Sequence, residues 1–197
     1  ILHAASKVSV SGDWEDYERT NIVGTQALLD AAIERSISKF LYVSSPSVAH
    51  AGTALIGEGN GVASPEHARG NYARSKATAE LAVLAANGTK LASGSTLRVG
   101  ALRPHLIWGP GDTQLVERIL DRAQSGRLPL LSGGTGLIDT LYIDNAADAL
   151  VRGYERLESI AGRALVVTNG QPRTIAELMS GFCTAVGVPA PRFSVPA

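Results

Sequence analysis

Short apolar runs alternate with helical segments along the whole chain, and this alternation limits the folds open to it. The strand-like runs lie at 1–5, 39–45, 96–104 and 164–169, and apolar residues at helical spacing cover 13–35, 70–88, 112–126, 144–158 and 174–187. Such an order is typical of βαβ units, which build a parallel sheet with helices on both faces. We therefore predict an α/β fold in which ligands bind beyond the carboxyl ends of the strands.

Three further stretches carry local predictions. Residues 49–71 contain five glycines and one proline without a sustained period, which predicts a long loop of the kind that usually serves function. The runs LPLLS and LIDTLYI stand on either side of GGTG at 133–136 and predict a short strand pair around a turn. The proline-rich end, VPAPRFSVPA, is predicted to be irregular.

Composition excludes several classes of function. The chain has 197 residues, of which 45% are hydrophobic and 18% charged, with a net charge of zero, so it offers no electrostatic footprint for nucleic acid or an anionic membrane. The lone Cys183 excludes an internal disulfide, reads as a core residue, and favours a reducing compartment, which we expect to be the cytoplasm. The histidines do not cluster, so no metal site is predicted. No apolar run approaches the ~20 residues that span a bilayer.

Tyr72 and Lys76 open the alanine-rich segment GNYARSKATAELAVLAANG. Residues four apart share one face of a helix, so the phenol and the ammonium could act on one ligand. A phenol has a pKa of about 10, and a nearby cation would favour its ionised form. The alternative is that Tyr72 packs on the sheet while Lys76 reaches solvent, and this motif alone leaves the two open.

Ser45 and Asn21 are candidates on the preceding elements. Ser45 ends a predicted strand, where its hydroxyl could align a substrate oxygen with Tyr72, although a turn or cap serine looks the same in sequence. Asn21 is in mid-helix, where asparagine is a poor choice unless its amide has a task such as holding a proton-relaying water. A polar surface position is the alternative for Asn21.

The stretch RPHLIWGPGD at 103–112 is a strand end followed by a turn rich in glycine and proline. Its backbone amides and Ile107 could cover one face of a planar cofactor ring, or the segment could be a purely structural turn. The order of the four features is Asn, Ser, Tyr-x-x-x-Lys, Arg-Pro, and together they predict a catalytic site.

The segments HAAS, NIVGTQALLDAA, KFLYVSSPSVA, NYARSKATAE and ALRPHLIWGPGD resemble, in order and spacing, the extended short-chain dehydrogenase/reductases. LIDTLYIDNAADAL and the stretch after Lys76 look most like the 3β-hydroxysteroid dehydrogenase/isomerase family and its sterol-decarboxylating relatives. The resemblance runs from residue 1 to about 195. It implies a Rossmann-like doubly wound parallel sheet, with catalytic residues of the NAD(P)-binding domain in 1–110 and a mixed substrate-binding region with late Rossmann elements in 111–197.

The resemblance also implies the role of each candidate residue. Tyr72 would be the general base, Lys76 its partner and a ligand of the nicotinamide ribose, Ser45 the donor to the substrate oxygen, and Asn21 the proton-relay residue. The remaining residues implied to contact the cofactor are His3, Ala4, Ala5, Ser44, Pro104, His105 and Ile107.

The implied reaction transfers hydride between a secondary alcohol and NAD or NADP, with NAD favoured, and a 3β-hydroxysteroid or sterol is the expected small-molecule substrate. A sugar-nucleotide epimerase or dehydratase would use the same Tyr72 and Lys76, and a non-catalytic cofactor-sensing protein is the alternative of another class. A homodimer is consistent with the resemblance.

One departure from the family pattern is large. The family begins with a strand and a G-x-x-G-x-x-G turn, which this sequence does not contain. We therefore expect a fragment that lacks the N-terminal strands, holds half of the cofactor site, and by itself binds dinucleotide poorly.

Overall fold

A computed structural model describes residues 1–8, 11–50 and 60–196, so part of the predicted loop at 49–71 lies outside the described residues. The strands are β1 (Leu2–His3), β2 (Lys39–Val43), β3 (Arg98–Pro104), β4 (Leu106–Trp108), β5 (Leu130–Leu131), β6 (Leu137–Ile138), β7 (Thr140–Tyr142), β8 (Ala164–Val167), β9 (Arg173–Thr174) and β10 (Ser194–Val195). The α-helices are α1 (Trp14–Tyr17), α2 (Gly24–Glu34), α3 (Asn71–Ala85), α4 (Val116–Gln124), α5 (Ile143–Glu155), α6 (Leu157–Ile160) and α7 (Ile175–Ala185).

A parallel four-stranded sheet in the order β1-β2-β3-β8 forms the main layer. Leu2 pairs with Leu41, Phe40 with Val99, and Ala101 with Ala164. Parallel neighbours need crossover connections, and the helices supply them. The α/β fold with a parallel sheet predicted from the alternation is confirmed.

The chain divides into two compact units, of which the first comprises 1–104 and 147–167 and the second 105–146 and 168–197. The division expected from the sequence, 1–110 and 111–197, is continuous along the chain. The compact units are discontinuous because β8 returns to pair with β3 in the first unit.

Both faces of the sheet in the first unit are covered by apolar side chains. Phe40 and Val99 face a cluster that includes Leu29 of α2 and Val83 of α3. On the opposite face Leu41, Leu102 and Leu157 pack together, and a Cβ on Gly100 would lie 2.9 Å from Leu157. Burial on both faces explains why these strands are continuous apolar runs in the sequence.

The second unit has its own core, formed by α4, α7 and the aromatic side chains of β4 and α7. The rings of Trp108 and Phe182 meet edge to face at a centroid distance of 5.0 Å, and Cys183 is fully buried beside them. Burial raises the pKa of the Cys183 thiol. The interpretation of Cys183 as a core residue is confirmed.

The predicted strand pair around GGTG is wrong. β5 instead pairs in parallel with β10, and β6 pairs with β9, so the proline-rich end contributes a short strand to the second unit. Ser132–Gly134 forms a 3₁₀ turn in which Gly134 has a φ of +67° and packs against Ala176, which leaves no room for a side chain there. This close packing directs the chain away from a tight hairpin.

Side-chain hydrogen bonds to the backbone support the chain at or just before the starts of two helices. Thr174 and Glu177 form a reciprocal capping box at the start of α7. The Asp112 carboxylate accepts hydrogen bonds from the backbone amides of Gln114, Leu115 and Val116, although the regular turns of α4 begin only at Val116. These bonds lower the pKa of Asp112 against the effect of its burial.

Among the residues that the structure describes, no helix has both the length and the apolar character to cross a membrane. Within the same residues, no group of three or more His, Cys, Asp and Glu side chains is placed to hold a metal ion.

Candidate active site

Tyr72 lies in the first turn of α3, where its phenol interacts with the hydroxyl of Ser45, which follows β2. Gly70, with a φ of +87°, precedes the helix and sets the direction in which it leaves the loop. Burial raises the pKa of the Tyr72 phenol, and the interaction with Ser45 opposes that rise. Tyr72 and Ser45 are therefore close together and the phenol holds its proton at neutral pH, while their catalytic roles stay predictions.

Ser45 also caps a turn, which is the structural role that the sequence left open as its alternative. Its Oγ lies 2.9 Å from the Ser47 hydroxyl and accepts a hydrogen bond from the Ser47 amide at 3.3 Å, capping the 3₁₀ turn Pro46–Ala49. A hydroxyl oxygen with two lone pairs and one proton can take part in both arrangements. The turn thus holds Ser45 in the orientation that meets Tyr72.

Lys76 does not reach solvent, so that alternative is wrong. Only 2% of the residue is exposed, its Nζ donates a hydrogen bond to the carbonyl of Val43 at 2.6 Å, and it lies 4.2 Å from the centre of the Tyr42 ring. Burial lowers the pKa of Lys76 to about 8, while the charge of Glu80 acts in the opposite direction. The ammonium is therefore held at the carboxyl end of β2 and is charged at neutral pH.

Asn21 is buried in the π-helical turn Glu18–Val23, so its alternative as a surface residue is wrong. Its Oδ1 accepts hydrogen bonds from the Lys7 amide at 2.7 Å and the Ser6 hydroxyl at 3.1 Å, and its Nδ2 donates to the Lys7 carbonyl at 3.1 Å and Ser75 Oγ at 3.0 Å. These bonds use the full capacity of the amide and join residues 6–7 to α3. Its proton-relay role stays a prediction, and π-helical turns are frequent at functional sites.

His3 is a core residue by its side chain. Its Nε2 lies 2.9 Å from Thr25 Oγ1, and its ring packs against Phe40 and Tyr42. Burial, followed by the charge of Lys76, lowers the pKa of His3, so the ring is neutral at physiological pH. Ala4 and Ala5 are exposed directly after it. Contact with a cofactor by these residues stays a prediction.

The unpartnered hydroxyl of Ser44 bears on whether the site suits a hydroxylated ligand. Its side chain is buried, and within the described part of the chain its Oγ has no hydrogen-bond partner. Leaving such a hydroxyl unsatisfied costs about 1–3 kcal/mol. Lys76 is bonded to Val43, the residue before Ser44, and its ammonium has N–H donors beyond the one that this bond uses. Contact of these unused groups with the hydroxyls of a nicotinamide ribose stays a prediction.

The remaining cofactor candidates belong to different units. Pro104 ends β3 in the first unit, whereas His105 and Ile107 belong to the second. Ile107 lies in β4 with 37% of its surface exposed. Their contact with the cofactor stays a prediction.

Glu80 is a residue that the sequence analysis missed. It is fully buried on α3 and both of its carboxylate oxygens accept hydrogen bonds from Arg103, at 2.9 Å from Nε and 2.5 Å from Nη2. The available signal was a glutamate four residues after Lys76 in a helix otherwise rich in alanine, together with an arginine inside an apolar strand. A charge in either position needs a partner, since buried charges are almost always paired.

Solved structures of sugar-nucleotide enzymes share this fold. UDP-glucuronic acid 4-epimerase from Bacillus cereus in complex with NAD superimposes with a TM-score of 0.79 and 21% identity over 99% of this chain and 62% of that chain. The dTDP-glucose 4,6-dehydratase DesIV of Streptomyces venezuelae, with NAD and DAU bound, has a TM-score of 0.78 and 22% identity over 99% of this chain and 60% of its own. At these identities the likeness shows the fold alone.

Relatives found by sequence are oxidoreductases by name. The 2-alkyl-3-oxoalkanoate reductase of Stenotrophomonas maltophilia (strain K279a) is 40% identical over 96% of this chain and 57% of its own length. The sterol-4-alpha-carboxylate 3-dehydrogenase, decarboxylating, of Mus musculus is 29% identical over 100% of this chain and 54% of its own length. The chain thus spans about half the length of these relatives. Residues 1–196 match the family model, and the chain belongs to the 3-beta hydroxysteroid dehydrogenase/isomerase family.

Proposed function

We propose that the complete protein is an NAD(P)-dependent oxidoreductase that interconverts a ketone and a secondary alcohol on a 3-oxo carboxylic acid. The observation that carries this proposal is the proximity of the Tyr72 phenol to the Ser45 hydroxyl, one helical turn before the buried ammonium of Lys76. A phenol, a hydroxyl and a cation in this order suit proton transfer to a carbonyl oxygen.

The names of two relatives support the substrate class. A 2-alkyl-3-oxoalkanoate carries its oxo group at carbon 3 of a carboxylic acid. In a sterol-4-alpha-carboxylate that is dehydrogenated at carbon 3, the carboxylate stands on the neighbouring carbon 4. In both molecules the reacting carbon is bonded to the carbon that carries the carboxylate. This shared chemistry favours a 3-oxo or 3-hydroxy acid over the 3β-hydroxysteroid expected from the sequence.

In the direction of reduction, Tyr72 and Ser45 act on the substrate oxygen. Ser45 donates a hydrogen bond to the carbonyl oxygen and Tyr72 transfers its phenolic proton to it, so that the oxygen becomes the hydroxyl of the product. NAD(P)H, when bound, would supply the hydride for the carbonyl carbon. Because burial raises the pKa of Tyr72, the phenol carries the proton it has to donate. Solvent then returns a proton to the tyrosinate.

Lys76 has two tasks in this scheme. Its donors beyond the bond to Val43, together with the Ser44 hydroxyl, would hold the ribose hydroxyls of the nicotinamide half of the cofactor. Its positive charge favours the tyrosinate that remains after proton transfer. Asn21, by joining residues 6–7 to α3, would keep the segment after β1 in place beside this site.

A substrate panel with the complete protein tests the proposal. A 2-alkyl-3-oxoalkanoate with NADH or NADPH, a 3β-hydroxysteroid with NAD⁺, and UDP-glucose with NAD⁺ are compared by nicotinamide absorbance and product analysis. We expect turnover of the oxo acid and its loss in Tyr72→Phe. Preferential turnover of the sugar nucleotide would contradict the substrate class, and an unaltered rate in Tyr72→Phe would contradict the mechanism.

We also propose that the complete protein is a homodimer, as the resemblance allows. Val23, Leu28 and Leu81, on the π-helical turn, α2 and α3, are exposed apolar side chains that such a contact would cover. Light scattering after size exclusion measures the mass directly. A monomeric mass at micromolar concentration would contradict this proposal.

A further inference from the structure

Lys76 and Glu80 stand one turn apart on α3, at the spacing at which a lysine and a glutamate form an ion pair on a helix. Both side chains are buried, with exposures of 2% and 0%. The bond that Lys76 makes is nevertheless to the backbone carbonyl of Val43. The carboxylate of Glu80 is occupied elsewhere, which raises the question of what prevents the local pair.

Arg103 binds both carboxylate oxygens of Glu80. Its guanidinium donates from Nε to one carboxylate oxygen and from Nη2 to the other, the bidentate geometry in which this pair is strongest. Since both groups are at most 1% exposed, solvent does not compete for either. Each oxygen of Glu80 therefore already has a cationic partner, which weakens its attraction for the ammonium of Lys76.

Arg103 is itself held from its other side. Its Nη1 donates to the backbone carbonyls of Asn60 and Gly61. The side chain of Asn60 in turn bonds the edge strand β8, through Nδ2 to the Ala164 carbonyl at 2.7 Å and through Oδ1 from the Val166 amide at 3.3 Å. The guanidinium is therefore fixed between α3 and the segment that borders β8, and it cannot leave Glu80 without breaking these bonds.

We propose that Arg103 is a positioning residue for Lys76: by binding both oxygens of Glu80, it keeps the carboxylate from pairing with the ammonium, which remains at the Val43 carbonyl at the end of β2. This inference rests on the proposed function, in which Lys76 holds the cofactor ribose and supports Tyr72. A buried carboxylate without Arg103 would need another cation, because an unpaired charge is costly in the interior. Lys76 is one turn away and would supply it.

The groups that face Lys76 make the outcome measurable. Tyr42 of β2 presents its ring to the ammonium, and the ring of His3 of β1, which the charge of Lys76 affects, is neutral. Glu80 is the anion whose charge acts on Lys76 within the described residues. A shorter distance between these two groups would raise the pKa of Lys76, whereas removal of the carboxylate would lower it.

The test compares Arg103→Met with the double variant Glu80→Gln/Arg103→Met in the complete protein. The pKa of Lys76 is followed by NMR of the lysine side chains, with Lys76→Arg to assign the signal. We expect Arg103→Met to raise that pKa, to raise KM for the cofactor and to lower kcat/KM roughly 100-fold, as a displaced catalytic group does. The double variant lacks the carboxylate, so both the pKa and most of the activity should return toward wild type.

Two further variants separate positioning from stability. Leu157→Ala weakens the same sheet from its opposite face without changing a charge, and we expect it to leave the cofactor KM and the Lys76 pKa as in wild type. Arg103→Lys keeps a cation but cannot bind both carboxylate oxygens with the planar geometry of a guanidinium. We expect an intermediate effect on the Lys76 pKa and on the cofactor KM, even where Arg103→Met folds poorly.

An unchanged or lower pKa of Lys76 in Arg103→Met, or an equal kinetic loss in Leu157→Ala, would overturn the inference. Failure of the proposed function is a separate result, because full turnover by Tyr72→Phe would refute that function. The pKa of Lys76 measured in the Arg103 variants would still show whether Arg103 positions Lys76.

Discussion

Tyr72, in the first turn of α3, lies beside Ser45, which follows β2, and their hydroxyl groups interact. The two residues are 27 positions apart in sequence, and their proximity places a phenol and an aliphatic hydroxyl side by side. Burial raises the pKa of the phenol while Ser45 opposes the rise. The chemical consequence is a proton donor with a neighbour that can bond the same substrate oxygen.

Replacing Tyr72 by Phe removes the transferable proton and leaves the ring. We expect kcat for the oxo acid to fall roughly 10²- to 10⁴-fold, the range for a lost general acid. KM for the cofactor should change little if the ring and Lys76 keep their places. Steady-state kinetics with the complete protein measure both constants, and circular dichroism confirms that the variant is folded.

Ser45→Ala should reduce kcat through the substrate oxygen and also weaken the turn Pro46–Ala49 that Ser45 caps. The expected kinetic loss is on the order of 10²-fold, as for a missing hydrogen-bond donor to a developing charge. Ser47→Ala is the matched control, since Ser47 bonds Ser45 in the same turn and has no part in the proposed chemistry. A kinetic loss in Ser47→Ala as large as that in Ser45→Ala would assign the effect to the turn.

The buried Lys76 predicts a stability that increases with pH. Its pKa in the folded protein is about 8, below the ordinary value of 10.5. Above pH 8 the folded state therefore loses a proton that the unfolded state still binds, so the free energy of unfolding rises as pH increases toward 10. Denaturant titrations at several pH values should show this rise, on the order of 1–3 kcal/mol, and Lys76→Met should lack it.

The same titration of Lys76 should appear in cofactor binding. As pH rises through about 8 the ammonium loses its charge and a donor, so KM for NAD(P) should increase. Substrate KM at saturating cofactor provides the comparison, because Lys76 is proposed to contact the ribose. A cofactor KM that stays level from pH 7 to 9 would contradict the assignment.

Asn21→Ala removes all the bonds that join residues 6–7 to α3. We expect a loss of about 1–3 kcal/mol in the free energy of unfolding, because the partly buried backbone groups of Lys7 lose their partner. Ser75→Ala removes one of these partners, and the double variant measures the coupling between the two side chains. Additive losses in that cycle would show that the bond at 3.0 Å contributes nothing of its own.

The architecture of the first unit could be predicted from residue order because burial leaves a local trace. Strands covered on both faces occur in the sequence as continuous apolar runs such as KFLYV, and the helices between them have apolar residues at helical spacing. Tyr72 and Lys76 could likewise be placed on one helix face from their separation alone. These features depend on neighbours within one turn or one strand.

Tertiary structure decided which face of α3 meets the sheet. Alanines occur on every side of this helix, so no apolar stripe in the sequence indicates whether Lys76 points inward or to solvent. Packing against β2 and β3 buries both Lys76 and Glu80, and it brings the Glu80 carboxylate within hydrogen-bond distance of Arg103.

The pairings that were missed or wrong are long-range. Glu80 and Arg103 are 23 positions apart, and β5 finds its partner in β10 near the end of the described chain instead of across the adjacent turn. Local propensity carries no information about such partners, because they are selected by close packing at Gly134 and by the cost of leaving a buried charge alone. The sequence by itself determined the parallel α/β layout and the helix that carries Tyr72 and Lys76, while only the tertiary structure decided that their side chains lie beside Ser45 and Val43.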